Sequence, residues 1–540
     1  MKPDRATSAP PNAGHPDGFR TILAAAALIP LAATLVLFRL HVPLGRPGQF
    51  EYLYSPIIEL RLRAVPFALL AGLVLVVGAA LTGATAVWRR RLGLGLVAAG
   101  VLGLGVWSYV APPSHFNQYF FNGLSPSQDG AFVLEAVRVD STREYLSTFP
   151  QRALTPPEEM RGTRVISNPP GTTLLAIGVK QVLGRQPRLE RIVMGPLINN
   201  LPPEEYVETI GQSGAVGIVL FWLLTGLWLL AAVPLYLLGR LFLPTPAAVA
   251  LSVCCVFSPM TLMFTPGKDP AQLLTVALPL WLWFAAIRRS SMWAAAGAGA
   301  VFVVSCLFSL VHIWIGVIVL AATLLSTGRA RSDLRRVLLR GVLPAIGAAV
   351  IGVIGLYVFT DLDFISTVRA VAASQSSVTR GSGAMPFSWQ LLGVPLFLLF
   401  AGPAWWSATL LSTAPGERRR NRDADARLGR WLLFITAATM LGTIGFTNLE
   451  TPRLWIPFMP LLLLGGFLHI GMLRQPTRRT TLTLAALVAV QITCAVAQWS
   501  LMDARATETR LVERQFFGQA PAPHPPGAHG ETADDHADRR

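Results

Sequence analysis

The sequence predicts an all-α, polytopic membrane protein. About thirteen transmembrane helices surround a large extracytoplasmic loop that carries short interfacial helices. Three observations predict it. The chain is 52% hydrophobic and 14% charged, with mean hydropathy +0.51, which is too apolar for an ordinary soluble domain. Its apolar residues are bunched into runs long enough to cross a bilayer. Its arginines cluster in the short linkers between those runs, as the positive-inside rule expects of cytoplasmic loops. That distribution accounts for the net charge of +16 without nucleic acid, and no nucleic-acid partner is expected.

Residues 1–20 form a polar cytoplasmic arm ending in Arg20, and the first run covers 21–39. This run is longer than a signal-peptide core and no persuasive small-x-small cleavage site follows, so it is expected to remain as a span. Further spans are expected at about 65–88, 92–112, 213–239, 244–264, 271–287, 292–308, 310–327, 335–359, 389–411, 431–447, 454–473 and 481–501. The run from Met292 to Leu325 exceeds one bilayer thickness between basic flanks, so it is divided by a tight outer turn near Ser309. The chain thus divides into the arm, N-terminal helices in 21–112, the large loop 113–212, a transmembrane core in 213–501 and a polar tail 502–540 of disordered character.

Arg89 to Arg91, Arg288 and Arg289, Arg329 to Arg336, Arg418 to Arg420 and Arg474 to Arg479 mark the cytoplasmic side. Segments 40–64, 113–212, 265–270, 360–388 and 448–453 then face outward, as does the carboxyl tail. Thr172 to Leu183 is apolar but only about twelve residues, or ~18 Å, and carries Lys180; it is expected to be interfacial or re-entrant. Cys254, Cys255, Cys306 and Cys494 all lie in apolar runs without CxxC or His-rich spacing, so neither disulfides nor structural zinc is expected.

Four outward constellations carry groups suited to chemistry. In SPSQDGAFVLEA, Ser127 is a potential N-cap and Asp129 sits in a first helical turn. As a carboxylate at the water–membrane boundary, Asp129 is a candidate general base; Glu135, six residues on, is a weaker one. Asn168-Pro169-Pro170-Gly171 leads into the short apolar helix. Thr265-Pro266-Gly267-Lys268-Asp269-Pro270 joins two spans and puts Lys268 and Asp269 at an outer mouth. In Asn448 to Trp455, Arg453 has the fork geometry for a phosphate, Glu450 is placed to orient it, and Trp455 suits the headgroup layer. Each also has a structural reading: a first-turn acid, a loop-to-helix transition, a helix-joining turn and an interfacial anchor pair. Asp361, Asp363, Arg369 and Arg380 read as solvated loop charges, and His312 as a polar contact between helices.

The order of these motifs resembles the GT-C superfamily of integral-membrane glycosyltransferases, which includes protein O-mannosyltransferases and the lipid A aminoarabinose transferase. The resemblance spans roughly 113–475 and rests on QDGAFVLEA, NPPG, LLGRLFLP, GKDPAQLL and ETPRLW in sequence. Asn168 stands where such enzymes carry histidine or lysine, and two extra spans precede the large loop. The resemblance implies that 113–212 is a catalytic loop and that the donor is a sugar on a polyprenyl phosphate, its tail among the helices. It makes Asp129 the catalytic base on the acceptor, with inversion at the anomeric carbon. It puts Lys268 and Arg453 on the donor phosphate and Asp269 on the sugar or on Lys268, with Glu135, Asn168 and Glu450 as further substrate-binding positions. No Asp-x-Asp stands at the expected place, so neither a metal nor another cofactor is expected. The implied partners are that donor, a lipid, glycan or protein acceptor, and membrane lipids, in a bacterial plasma (inner) membrane.

A transporter or lipid flippase is the competing class, and a non-catalytic relative of the enzymes is a third. Transporter sites lie near the midplane among intramembrane charges. Here the span interiors are nearly charge-free and the suggestive charges sit at outer helix ends, which favours surface chemistry.

Overall fold

A computed structural model describes residues 16–40, 44–45, 51–54, 58–111, 129–155, 163–198, 205–327, 331–381, 391–413, 424–444, 451–470, 473 and 477–503. Among these residues the chain is a helical membrane protein. Helix α1 (Pro16–Arg39) leads to strands β1 (Leu44–Gly45) and β2 (Glu51–Tyr54), then to α2 (Ile58–Leu81) and α3 (Val87–Val110). Five shorter helices follow: α4 (Gly130–Arg138), α5 (Thr142–Ala153), α6 (Thr163–Ile166), α7 (Gly171–Arg185) and α8 (Pro187–Ile198). The chain then re-enters the bundle through α9 (Glu205–Leu230), α10 (Ala232–Arg240), α11 (Thr245–Val256), α12 (Pro259–Met263) and α13 (Lys268–Arg289).

Beyond α13 lie α14 (Met292–Cys306), α15 (Val311–Ser326) and α16 (Arg331–Val337), which runs through a π-helical turn (Leu338–Val342) into α17 (Leu343–Thr360). Then come α18 (Phe364–Gly381), α19 (Gly393–Ala401), α20 (Pro403–Thr413) and α21 (Ala424–Gly442). The last elements are α22 (Thr451–Leu454), a 3-10 turn (Ile456–Phe458), α23 (Met459–His469), α24 (Arg478–Leu501) and β3 (Met502–Asp503). The strands form a small antiparallel patch in the order β1-β2-β3, with Leu53 opposite Asp503.

Among the described residues, seven helical segments have the length and apolarity to cross a membrane: Ile58–Leu81, Val87–Val110, Ser213–Arg240, Thr245–Met263, Lys268–Arg289, Ser332–Thr360 and Arg478–Leu501. Their environments differ with their place in the bundle. Every residue of α11 and of α23 is buried, whereas α17 buries none. Exposed Ile351 and Phe359 on α17 find an apolar surrounding in hydrocarbon, the one solvent in which an all-round apolar helix needs no protein cover.

Several expected spans take other forms. The span expected at 65–88 begins earlier, at Ile58, because α2 admits a buried arginine. Arg61 donates to the carbonyls of Trp499 (2.7 Å) and Met502 (2.8 Å) at the end of α24 and stacks on the Trp499 ring. The run from Met292 to Leu325 does divide beside Ser309, but α14 and α15 have only 15 and 16 residues, or about 23 Å each, against a ~30 Å core.

The expected span at 389–411 is bent by 100° between α19 and α20. Gly402 sits there with φ +83, a conformation that favours glycine, and Pro403 starts the new direction. Gln491 of α24 satisfies the opened backbone: its Oε1 accepts from the Ala404 N–H (2.9 Å), and its Nε2 faces the carbonyls of Cys254 and Phe257. The span expected at 454–473 shortens to the 11-residue α23, because Pro452 and Pro457 interrupt the helix before it and Pro460 stands in its first turn.

Among the described residues two large apolar cores result, beside a small cluster of Ala131, Phe132 and Val165. The larger joins α2, α3 and α10 to α13 with α15 and the elements from α19 to α24. The second belongs to the loop helices: Val133, Tyr145, Phe149 and Ile177 pack with Phe221 of α9, Leu307 beyond α14 and Val371 of α18. The described loop helices α4 to α8 therefore form a folded cap on the bundle. Lys180, inside α7, serves this cap. Its Nζ donates to the carbonyls of Val137 (2.7 Å) and Val139 (2.8 Å), satisfying acceptors at the C-terminus of α4. At 15 residues, or about 22 Å, α7 is shorter than a ~30 Å hydrocarbon core.

Candidate functional site

The cap meets the bundle at the N-terminus of α13. Gly267 precedes this helix and has no side chain to cap it, so the first-turn N–H groups need acceptors from elsewhere. Asp129 supplies one: its Oδ2 accepts from the Lys268 N–H at 2.7 Å. Asp129 was expected in a first helical turn. It instead stands immediately before α4, makes no cap there, and caps a helix distant in sequence. Ser127 lies outside the described residues.

Around that contact five charged side chains assemble from four stretches of chain. Arg164 of α6 pairs with Asp129 Oδ1, and its other terminal nitrogen lies 3.6 Å from Asp269 Oδ2. Arg453 of α22 brings Nε to 3.3 Å from the same Asp269 oxygen. Lys268 Nζ lies 3.6 Å from Asp269 Oδ1 and 2.5 Å from Asn168 Oδ1, and it faces the Phe132 ring at 5.8 Å. Gln272, one turn along α13, donates to Asp269 Oδ1 at 2.9 Å. None of the five charged side chains exceeds 11% exposure, so they interact in a poorly screened setting, unlike a surface ion pair.

Sequence position explains how each residue arrives. Asn168 is locked by its Nδ2 bond to the Arg164 carbonyl (2.8 Å), which turns its oxygen toward Lys268. A cationic side chain at 168 would face Lys268 with like charge; a neutral acceptor fits. Gly171, just past the paired prolines, donates its N–H to the Leu307 carbonyl (2.7 Å), and a Cβ there would stand 2.5 Å from that oxygen. Only glycine lets the NPPG turn rest on the link between α14 and α15. His312 of α15 behaves as a contact between helices, with Nε2 2.8 Å from Thr275 Oγ1 on α13.

Asp129, Asn168, Lys268, Asp269 and Arg453 are thus brought together. Glu135 is not: it pairs with Arg152, whose guanidinium also lies over the Tyr145 ring, so this acid ties α4 to α5. Its six-residue offset from Asp129 points it to another face of α4. Glu450 lies outside the described residues. Trp455 is buried rather than at the headgroup layer, packed edge-on to Phe397 and donating to Thr443 Oγ1 at 3.0 Å. Asp361 is also more than a solvated charge. It pairs with Arg143 of α5, which holds its carboxyl below the usual carboxylate range and ties the cap to the end of α17.

Arg164 was the residue that sequence reasoning missed. One arginine in RGTRV looks like any linker arginine; its place four residues before Asn168, with the paired prolines next, was the available signal. In chemical terms, three cations against two carboxylates leave one positive charge over, beside the positive end of a 22-residue helix. Such a site suits an anion. Among the described residues no group of three or more metal-ligating side chains forms. No protein-family model matches the chain, and no curated protein matches it.

Proposed function

We propose that the chain is an integral-membrane glycosyltransferase that moves a sugar from a polyprenyl-phosphate-linked donor to an acceptor on the extracytoplasmic face. The observation that carries this reading is the meeting of Asp129, Lys268, Asp269 and Arg453 in one buried cluster with an excess positive charge. In this reading Asp129 takes the proton of the acceptor hydroxyl. The hydroxyl oxygen attacks the anomeric carbon from the face opposite the phosphate, the sugar–phosphate bond breaks, and configuration inverts. The departing polyprenyl phosphate carries away the bonding electrons, and Lys268, Arg453 and the positive end of α13 stabilise it. Asp129 is suited to the base role because one backbone N–H and one guanidinium occupy only part of its acceptor capacity. Asp269, held by Gln272, Lys268, Arg164 and Arg453, is suited to orienting the cations rather than gripping the sugar.

The finer membrane layout belongs to the same reading. In this reading the shorter apolar helices Leu28–Arg39, α14 and α15 and the bent pair α19–α20, together with α21 and α23, complete about thirteen crossings in a bacterial plasma membrane. The acceptor is a lipid, glycan or protein.

Membranes containing the protein, given a polyprenyl-phosphate sugar and a mixed acceptor extract, are expected to show sugar transfer. Asp129→Asn should reduce it by about 10²–10⁴-fold while the protein stays in the membrane. Solute or lipid translocation that Asp129→Asn leaves intact, without transfer, would replace this reading with the transporter one.

A further inference from the structure

The far end of α13 carries a second site of independent origin. From Lys268 to Arg288 the helix rises about 30 Å, one hydrocarbon thickness, so Arg288 lies at the opposite face from the Asp129 cluster. There a cavity of about 350 Å³ opens between α13, α16 with its π-helical turn, and α21. Arg288, Arg336, Arg340 and Arg427 line it, against Asp333 and Asp425. Positive linkers are expected at this face for topology alone. Four arginines lining one concavity are more than topology requires.

The charges divide into a fixed wall and a receptive set. Arg288 donates to Asp425 Oδ2 at 2.5 Å and stacks over the Phe242 ring at 4.5 Å, so it is committed. Among the described residues no carboxylate pairs with Arg336, Arg340 or Arg427. The backbone shapes the opening. Arg340 sits within the π-helical turn, and the next residue, Gly341, lets Ile287 approach to where a Cβ would stand 2.8 Å away. A π turn inside a long helix is a local departure that recurs at functional sites. Phe242, Phe284 and Leu428 give the chamber an apolar side.

We propose that this chamber binds a phosphate-bearing anion between Arg336, Arg340 and Arg427. Guanidinium forks match phosphate oxygens in pairs, and the volume falls in the range of small-ligand pockets, about 300–1,000 Å³. The same chemistry is offered by the headgroup of an anionic phospholipid in the adjoining leaflet and by free phosphate. The apolar side and the place between transmembrane helices favour the lipid.

The full-length protein, purified in neutral detergent, is examined by native mass spectrometry and thermal unfolding with phosphatidylglycerol, phosphatidylcholine or inorganic phosphate. Phosphatidylglycerol is expected to be retained, and the Arg336→Ala/Arg340→Ala double variant should lower its retention by at least about tenfold. Arg430→Ala, exposed outside the chamber, should leave retention unchanged. Stabilisation by inorganic phosphate that needs the same arginines, without lipid retention, supports the site and identifies free phosphate as its ligand. Equal retention of the two lipids, or retention indifferent to the arginines, overturns the proposal. Arg427→Ala alone carries the same comparison should the double variant not fold, and loss of sugar transfer plays no part in it.

Discussion

Arg164 holds two carboxylates from different parts of the chain, and its removal shows how the cluster is balanced. Without it Asp129 keeps only a backbone N–H, and the buried charges lose a cation that separated two acids. Arg164→Ala should therefore destabilise the protein by about 3–5 kcal/mol, the range for breaking a buried pair, read as a lower midpoint in detergent thermal unfolding. Arg164→Lys should lose less, since it keeps the charge but not the fork. Asp129, Lys268, Asp269 and Arg453 were legible because each is a charge at a helix junction, flanked by Pro or Gly turns in an apolar chain. Arg164 was not, because its position before the NPPG turn is a weak signal and only the folded chain brings it against two carboxylates. Trp455 was misplaced for a related reason: tryptophan suits both a headgroup layer and a buried seam with one hydrogen-bond acceptor, and Thr443 supplies that acceptor here.

At the scale of elements, apolar runs revealed where helices lie but not where they break. The run around Ala401-Gly402-Pro403 is continuously apolar, so its hydropathy matches a straight span, while the Gly-Pro pair bends it by 100°. The bend opens backbone groups inside the bundle; Gln491 accepts from one of them, the Ala404 N–H, and turns its Nε2 to the Phe257 carbonyl at the end of α11. Gln491→Leu should cost about 1–3 kcal/mol for the polar groups left unsatisfied, whereas Thr493→Val on an exposed face of the same helix should change little. Gly171→Ala tests the seat of the cap. Its Cβ would press on the Leu307 carbonyl, so the variant should expose the 163–185 region to faster backbone hydrogen exchange. Unchanged exchange there would detach the NPPG turn from the α14–α15 link.

Across the whole molecule, the sidedness read from arginine linkers agrees with which segments touch. Residues of 113–212, 265–270, 360–388 and 448–453 meet at one end through the Asp129 cluster and the Arg143–Asp361 pair. The linkers bearing Arg288, Arg336 and Arg427 meet at the other. β2 pairs with β3, which puts 51–54 and the end of α24 together as well. The four cysteines are buried, so single introduced thiols report cleanly. In intact cells an impermeant maleimide should label Ser147→Cys and Asp363→Cys but not Arg336→Cys or Arg430→Cys, all at exposed positions. Labelling of one residue from each pair would break the two-faced arrangement. The number of crossings was not legible in the hydropathy, because α14, α15 and α23 have apolar composition without full bilayer length.

The most direct measurement is an experimental structure of the full chain with polyprenyl phosphate bound. The account predicts phosphate density at the N-terminus of α13, with oxygens within about 2.7–2.9 Å of Lys268 Nζ and the Arg453 guanidinium and Asp129 on the side away from the lipid tail. Phosphate seated elsewhere, with the Asp129–Lys268–Asp269–Arg453 cluster closed and untouched, would contradict it.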